Sequence, residues 1–243
     1  MYLILNQDII FNNEGRKNMG LFDKLKKDRQ SNKQEITKEE IRADGWDAIT
    51  EAFEKVYPTQ KDPKHYGTLI SWRLGGDSPL QGISIYEGED YWHFVTYGLS
   101  ELYEKESENK EISGYGMEFT FKLKKDHYED EEAELKGICN ILQTIAKLTF
   151  VNGEIFRPYE YIYTGQTQGI DIKMLSNITG FITIPDTDVA PISTPNGYVE
   201  FVEFIGATNN ELIALKNQEL TVKELYEKMG TDVTNYYRDS LIK

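Results

Sequence analysis

Hydrophobic positions along the chain fall into blocks of two periods. Behind a capping box at Thr37-x-x-Glu40, residues Ile41, Trp46, Ile49, Phe53 and Val56 recur near helical spacing, and Pro58 ends the run. Three short blocks then read as strands, at about 66–74, 82–87 and 91–97. They are punctuated by Leu74-Gly75-Gly76-Asp77 and by Glu87-Gly88-Glu89-Asp90. Met117, Phe119, Phe121 and Leu123 alternate with Glu118, Thr120, Lys122 and Lys124, which predicts a half-buried strand. An acidic opening at 129–132 suits a helix N-terminus, and Leu135, Ile138, Ile141, Leu142, Ile145 and Leu148 mark the apolar face behind it. Tyr159, Tyr161 and Tyr163 suggest another strand, and 178–184 and 198–205 two more. Thr208-x-x-Glu211 and Thr221-x-x-Glu224 each open a short helix, and Gly230 stops the last one. Helices and strands are interspersed, with hairpins as well as crossovers. The pattern therefore predicts an α+β fold, a mixed and largely antiparallel sheet with flanking helices.

Residues 1–36 read differently, as an N-terminal extension and linker, with the folded body expected over 37–243. Met19-Gly-Leu-Phe-Asp-Lys-Leu-Lys-Lys reads as a fresh start, and Glu14-Gly15-Arg16 can be encoded by a purine-rich stretch like a bacterial ribosome-binding site. Residues 1–18 are therefore expected to be an upstream extension from a mis-called start, dispensable for folding. Residues 26–36 are polar and without period.

Charge sharpens the picture. The chain has 41 acidic and 27 basic residues, a net of −14, and the segment after residue 40 carries −15 of it. Phosphates would repel such a body, so direct nucleic-acid binding is not expected, whereas a basic partner fits. A single cysteine, Cys139, permits no intrachain disulfide and no thiolate metal site. Asn6, Gln7 and Asp8 break the first apolar run, and no stretch approaches the roughly 20 apolar residues of a membrane span. The expectation is a cytoplasmic protein with no membrane attachment.

Catalytic patterns are sparse. The histidines are His65, His93 and His127, without metal-ligand spacing, so no metal and no cofactor is expected. Gly114-Tyr115-Gly116 precedes a strand, whereas a dinucleotide fingerprint precedes a helix. Cys139 lies on an apolar helix face and reads as a buried small residue. In a strand, Trp92 and Phe94 face one side and Tyr91 and His93 the other. Both faces are expected to be buried, with His93 hydrogen-bonded inside. No catalytic residue is assigned.

At this point a longer order of motifs emerges. Trp72-x-Leu74-Gly75-Gly76-Asp77-x-Pro79-Leu80 is followed by Ile83-Ser84-Ile85-Tyr86 and by Trp92-His93-Phe94-Val95-x-Tyr97-Gly98-Leu99-Ser100-Glu101-Leu102-Tyr103. Then come Ser113-Gly114-Tyr115-Gly116-Met117-Glu118-Phe119-Thr120-Phe121, Thr194-Pro195-Asn196-Gly197 and Phe204-Ile205-Gly206-x-Thr208-x-x-Glu211-Leu212. Over about 40–243 the order resembles the suppressor-of-fused (SUFU) domain family. The resemblance implies a fold like the N-terminal domain of the animal members, which grip a short peptide between two domains. The resemblance places the end of the first of those domains near Asp239. Single-domain bacterial relatives resemble immunity proteins of polymorphic toxin systems.

That resemblance implies an antitoxin that neutralises a toxin by direct binding, not an enzyme, and the charge favours a basic nuclease domain as partner. The partner-binding candidates are the acidic loops, with Glu87, Glu89 and Asp90 in one and Glu101, Glu104, Glu106, Glu108 and Glu111 in the other. The alternatives are a peptide-binding regulatory module using an exposed sheet edge, and a hydrolase or ligand sensor built around Trp92 and His93.

Overall fold

The computed structural model describes residues 42–68, 72 and 75–243. The predicted extension and linker of residues 1–36 and the capping box at Thr37–Glu40 lie outside the described residues. The elements run α1 (Asp44–Val56), β1 (Lys64–Gly67), β2 (Gly82–Glu87), β3 (Tyr91–Tyr97), β4 (Ile112–Lys124), α2 (Glu131–Asn152), β5 (Tyr161–Ile162), β6 (Ile178–Pro185), β7 (Ile192–Thr194), β8 (Gly197–Thr208), α3 (Asn209–Lys216) and α4 (Val222–Met229). All eight strands join one sheet in the order β1-β2-β3-β4-β8-β6-β5, with β7 paired to the start of β8. Among these strands the central β4–β8 pair is parallel and the other pairs are antiparallel. A parallel pair needs a long crossover. The connection from β4 to β8 supplies it and carries α2 across one face.

Alternation along each strand sends side chains to two different cores. On the α2 side, Phe94, Phe119, Phe121 and Phe204 pack against Leu135, Ile138, Leu142 and Ala146. On the opposite side, α1 lays Ile49 and Phe53 on Tyr86, Val95, Tyr97 and Phe201. Beside it, α3 and α4 cover Ile182, Ile184, Ile205 and Ala207 with Leu212, Leu215 and Leu225. Burying one such side chain contributes about 1.5–3 kcal/mol, so α1 is held mainly by its apolar stripe. Its first N–H groups are satisfied by the loop after β3, where the Leu102 carbonyl accepts from Gly45 at 3.0 Å and Trp46 at 3.2 Å. Ala43 at the helix start makes no side-chain cap.

β2 and β3 have the predicted bounds, and both later capping boxes form, at Thr208–Glu211 and Thr221–Glu224. Three expectations are corrected. The strand expected at 66–74 is confined to Lys64–Gly67 among the described residues. The strand suggested by Tyr159, Tyr161 and Tyr163 is only Tyr161–Ile162, because Tyr159 takes φ +67°, outside the extended region. Finally, β4 is not half-buried. Glu118 and Thr120 are fully buried and Lys122 is 1% exposed. Partners for this polar face come from the strand-end loops and from the segment after α4.

Candidate partner-binding site

The two acidic loops sit at opposite ends of β3. Glu87, Gly88, Glu89 and Asp90 form the β2–β3 turn, and residues 98–111 connect β3 to β4. Seven residues of strand separate them, about 23 Å at roughly 3.3 Å per residue.

The β2–β3 turn is fastened from two sides. The Gln60 amide bonds both the Glu87 carbonyl and its N–H, each at 2.7 Å. Lys125 Nζ reaches the Glu87 carboxylate and the Gly88 carbonyl, each at 2.8 Å. Glu89 and Asp90 remain exposed. The turn therefore offers two carboxylates on a convex corner, since Glu87 is paired.

The β3–β4 connection is held by two carboxylates of unlike environment. Glu118 on β4 accepts from Thr96 Oγ1 at 2.6 Å, from the Gly98 and Ser100 N–H groups at 2.9 Å each, and from Ser100 Oγ at 2.7 Å. Burial pushes its carboxyl up to about 7 against the pull of those donors. Glu101 sits inside the loop and accepts from Lys105 Nζ at 2.8 Å, from the Glu106 N–H at 2.8 Å, from the Gly114 N–H at 3.1 Å and from the Ser107 N–H. Burial would raise it, but the Lys105 ammonium and those backbone donors outweigh burial and hold it at about 2. Asn196 Nδ2 ties the loop to the β7–β8 turn through the Glu101 and Tyr103 carbonyls, at 2.8 and 3.2 Å. Glu101, one of the sequence candidates, thus has its carboxylate committed to shaping the loop. Glu104, Glu106, Glu108 and Glu111 are exposed on it.

His93 lies in a buried polar layer on the α1 side of the sheet. Its Nδ1 meets the Tyr57 hydroxyl at 2.8 Å and its Nε2 meets Asp186 Oδ2 at 2.9 Å. Asp186 also accepts from the Asp188 and Val189 N–H groups, at 2.9 and 2.8 Å. The hydroxyl–imidazole–carboxylate order is that of a nucleophile relay, but general acid–base chemistry needs a substrate within hydrogen-bond reach. His93 is fully buried and Tyr57 is 7% exposed. Next to it, Lys122 Nζ lies 2.5 Å from Asp232, 3.0 Å from Asp188 and 3.6 Å from Glu203. Burial, with Asp186 close by, holds the Glu203 carboxyl well above the usual carboxylate range. Cys139 is buried on α2, and burial pushes its thiol up to about 12. Among the described residues, no group of three or more His, Cys, Asp or Glu side chains is placed to hold a metal ion, and no helix is long and apolar enough to cross a membrane.

Glu118, Lys122, Asp186, Glu203 and Asp232 were not singled out from the sequence. Their one local signal is a charged residue recurring inside an apolar alternation, as in Tyr198-Val-Glu-Phe-Val-Glu-Phe204.

Comparison with known proteins agrees with this architecture. The suppressor of fused homologs of Homo sapiens and Mus musculus are each 26% identical to the chain over 181 residues. That stretch covers 69% of this chain and 36% of theirs, so the match spans about a third of the relatives' length. The structure is similar to a chain of the solved Sufu–Fu complex, with a TM-score of 0.71, 26% identity, and coverage of 82% of this chain and 93% of that one. Drosophila Suppressor of Fused gives a TM-score of 0.70 at 27% identity, over 82% of this chain and 51% of that one. A SUFU homologue from Neisseria gonorrhoeae FA 1090 shares the fold at 15% identity, with a TM-score of 0.56 over 82% and 98% of the two chains. The model of the suppressor of fused protein (SUFU) family matches residues 76–239, and with the fold and the motifs in register this chain belongs to that family.

Proposed function

We propose that this chain works by binding another protein, and that the partner is a basic toxin domain, a nuclease, which it neutralises by covering the substrate cleft. The observation that carries the reading is the way the acids divide. Glu118, Asp186, Glu203 and Glu211 are buried within the fold. Glu104, Glu106, Glu108 and Glu111 stand on one loop whose backbone is already tied to Glu101, Glu118 and Asn196. A net charge of −14 then steers a basic surface toward a loop that has little entropy left to lose on docking. The buried relay of Tyr57, His93 and Asp186 is given a structural role, so the protein is proposed to be a binder and not an enzyme. The Sufu–Fu complex offers a precedent for a domain of this fold in assembly with another protein. In the cytoplasm, such a binder would meet its toxin before substrate does.

The test is surface-binding kinetics against the purified toxin domain encoded beside this gene. Nanomolar binding is expected, with association slowing as salt rises, because the Debye length falls from about 10 Å at 0.1 M to about 3 Å at 1 M. Reversing Glu104, Glu106 and Glu108 to lysine should slow association and leave the thermal midpoint in place. Absence of binding would reject the immunity role. Tight binding indifferent to both salt and reversal would discard the acidic-loop mechanism in favour of strand addition at the β1 edge.

A further inference from the structure

We propose that a polar cleft at the start of α3 binds a neutral ligand carrying two adjacent hydroxyl groups, the vicinal diol of a sugar or another polyol. The site uses neither the acidic loops nor the buried layer around His93, and it goes beyond the protein-binding reading. The cleft encloses about 370 Å³ between the start of β6 and the loop before it, the first residues of α3 and the C-terminal segment. That volume lies within the range of about 300–1,000 Å³ usual for small-molecule sites. One wall is set by an irregularity of the sheet. Ile178 pairs with Thr208 and Gly180 with Ala207, so Thr179 is the extra residue of a β-bulge, a device that re-aims a side chain. Thr179 lines the cleft and is 4% exposed, and its hydroxyl has no hydrogen-bond partner among the described residues. A buried hydroxyl left unpaired costs free energy that an incoming partner recovers. The facing wall supplies donors. Thr208 Oγ1 caps α3 by accepting from the Glu211 N–H at 3.4 Å. The N–H groups of Asn209 and Asn210 come before it in the helix and have no carbonyl one turn back to accept them. Both residues line the cleft, and Asp239, which is exposed, brings a carboxylate to the same lining.

Charge decides the class of ligand. The helix start, with its N–H groups and positive dipole end, disfavours a cation. Asp239 disfavours an anion, and no lysine or arginine among the described residues joins the lining. Arg238, next to it in sequence, has its guanidinium committed to the Glu211 carboxylate, at 2.6 Å from each of two nitrogens, and to the Gly206 carbonyl at 2.9 Å. A neutral ligand must then accept from the asparagine N–H groups and donate to Asp239 within one small volume. A hydroxyl does both, and two on neighbouring carbons match the two oxygens of a carboxylate. The Thr179 hydroxyl is left to meet a third oxygen of the ligand. Among the described residues no aromatic ring lines the cleft, so a sugar is held there by its hydroxyls and not by stacking of a carbon face.

The test follows the backbone amide signals of Asn209 and Asn210 in the full chain by NMR, with those of Glu89 and Asp90 as references. The probes are methyl α-mannopyranoside and methyl α-glucopyranoside. Cyclohexanol stands for a single hydroxyl, N-methylacetamide for a peptide group and inorganic phosphate for an anion. At least one glycoside should shift both asparagine signals saturably and leave the references in place, and the other three probes should give no saturable shift. Thr179→Val and Asp239→Asn should each weaken glycoside binding by at least about threefold, the loss of one hydrogen bond. Because the Thr179 hydroxyl is unpaired inside the protein, Thr179→Val should also leave the thermal midpoint level or raise it. A lowered midpoint would show that the hydroxyl is already bonded within the fold, and would overturn the site. Asp239 is exposed, so Asp239→Asn tests the carboxylate in a folded protein whatever the valine does. Asparagine signals that no glycoside moves, or that move equally in both variants, overturn the proposal. So does saturable binding of N-methylacetamide, or of phosphate with a gain on Asp239→Asn, which would make the cleft a peptide or an oxyanion site.

Discussion

Replacing Lys122 by methionine is the sharpest perturbation of the buried polar layer. The methionine stem keeps most of the aliphatic packing and removes the ammonium. Lys122 is 1% exposed and stands within 4 Å of Asp232, Asp188 and Glu203. Removing one partner of a buried ion pair costs about 3–5 kcal/mol, because the remaining charge is left uncompensated. Two features move this case to the lower end. The Asp232 and Asp188 side chains are 17% and 33% exposed, so water can reach them. Burial already favours the neutral acid at Glu203, so its orphaning adds little. The expected loss is about 3 kcal/mol, read by urea unfolding as a midpoint lowered by roughly 1–1.5 M at a slope of about 2–3 kcal/mol/M. The loss should shrink on acidification. Without the ammonium, burial is left to push the Asp232 carboxyl up, and a raised carboxylate contributes stability below its unfolded value that is lost as pH climbs. The variant should therefore trail the parent less at pH 5 than at pH 8. Glu203→Gln, which mimics the neutral acid, should cost less than about 1 kcal/mol. A Lys122→Met loss under 1 kcal/mol with an unchanged slope, or a Glu203→Gln loss as large as that of Lys122→Met, would refute this account of the layer.

Two further outcomes follow from the same layer and its neighbours. His93→Ala should cost roughly 1–3 kcal/mol by leaving the Tyr57 hydroxyl and Asp186 short of a partner, and no esterase, phosphoesterase or nucleotidase activity should be present for it to abolish; turnover lost in a folded His93→Ala protein would show the relay to be catalytic. Stability should peak in mildly acidic solution and fall on both sides. His93, by hydrogen bond and charge, outweighs burial and holds Asp186 at about 2, and Glu101 also lies at about 2, so both contribute stability above pH 4 that is lost toward pH 2. Glu118, raised to about 7, contributes stability below pH 4.5 that is lost as pH rises through 7, up to about 3 kcal/mol for so buried a group. Thermal midpoints from pH 3 to pH 8, taken in dilute solution because the isoelectric point is near 4.8, should decline above pH 5 in the parent and decline less in Glu118→Gln; a parent curve that climbs from pH 5 to pH 8 would contradict this.

Local pattern was enough for much of the fold. Alternation placed β2 and β3 to the residue, and the Thr-x-x-Glu boxes placed the starts of α3 and α4. What it left out has a common cause. A period of two says that the two faces of a strand differ, not that the polar face is wet. Glu118 and Lys122 read as solvated until the groups that cover them are known, and Asp232 lies 110 residues from Lys122 in sequence. The His93–Asp186 contact spans 93 residues. No window along the chain contains both members of either pair. The acidic loop shows the same limit at closer range. Glu101 and Glu104 are alike as sequence, and only the folded loop aims three backbone N–H groups and Lys105 at one of them. The aromatic cluster of Trp72, Tyr115 and Phe150 was hidden for a related reason, since these rings meet only after β4 and α2 have packed.

The distance between the acidic loops decides how a partner reads them. At about 23 Å, the β2–β3 turn and the β3–β4 connection lie nearly three Debye lengths apart at 0.15 M salt, where the screening length is about 8 Å, but within one at 0.01 M, where it is about 30 Å. A basic partner docking at the connection therefore feels Glu104, Glu106 and Glu108 at physiological salt and the whole acidic end-to-end field only in dilute buffer. Reversal of Glu89 and Asp90 to lysine should leave the association rate at 0.15 M within about twofold of the parent, whereas reversal of Glu104, Glu106 and Glu108 should lower it by about tenfold, the low end of what steering supplies. At 0.01 M both variants should associate more slowly than the parent. Stopped-flow association at the two salt concentrations distinguishes the ends. Equal slowing by the two reversals at 0.15 M would place the partner across both loops, and slowing by Glu89 and Asp90 alone would move the docking site to the β2–β3 turn.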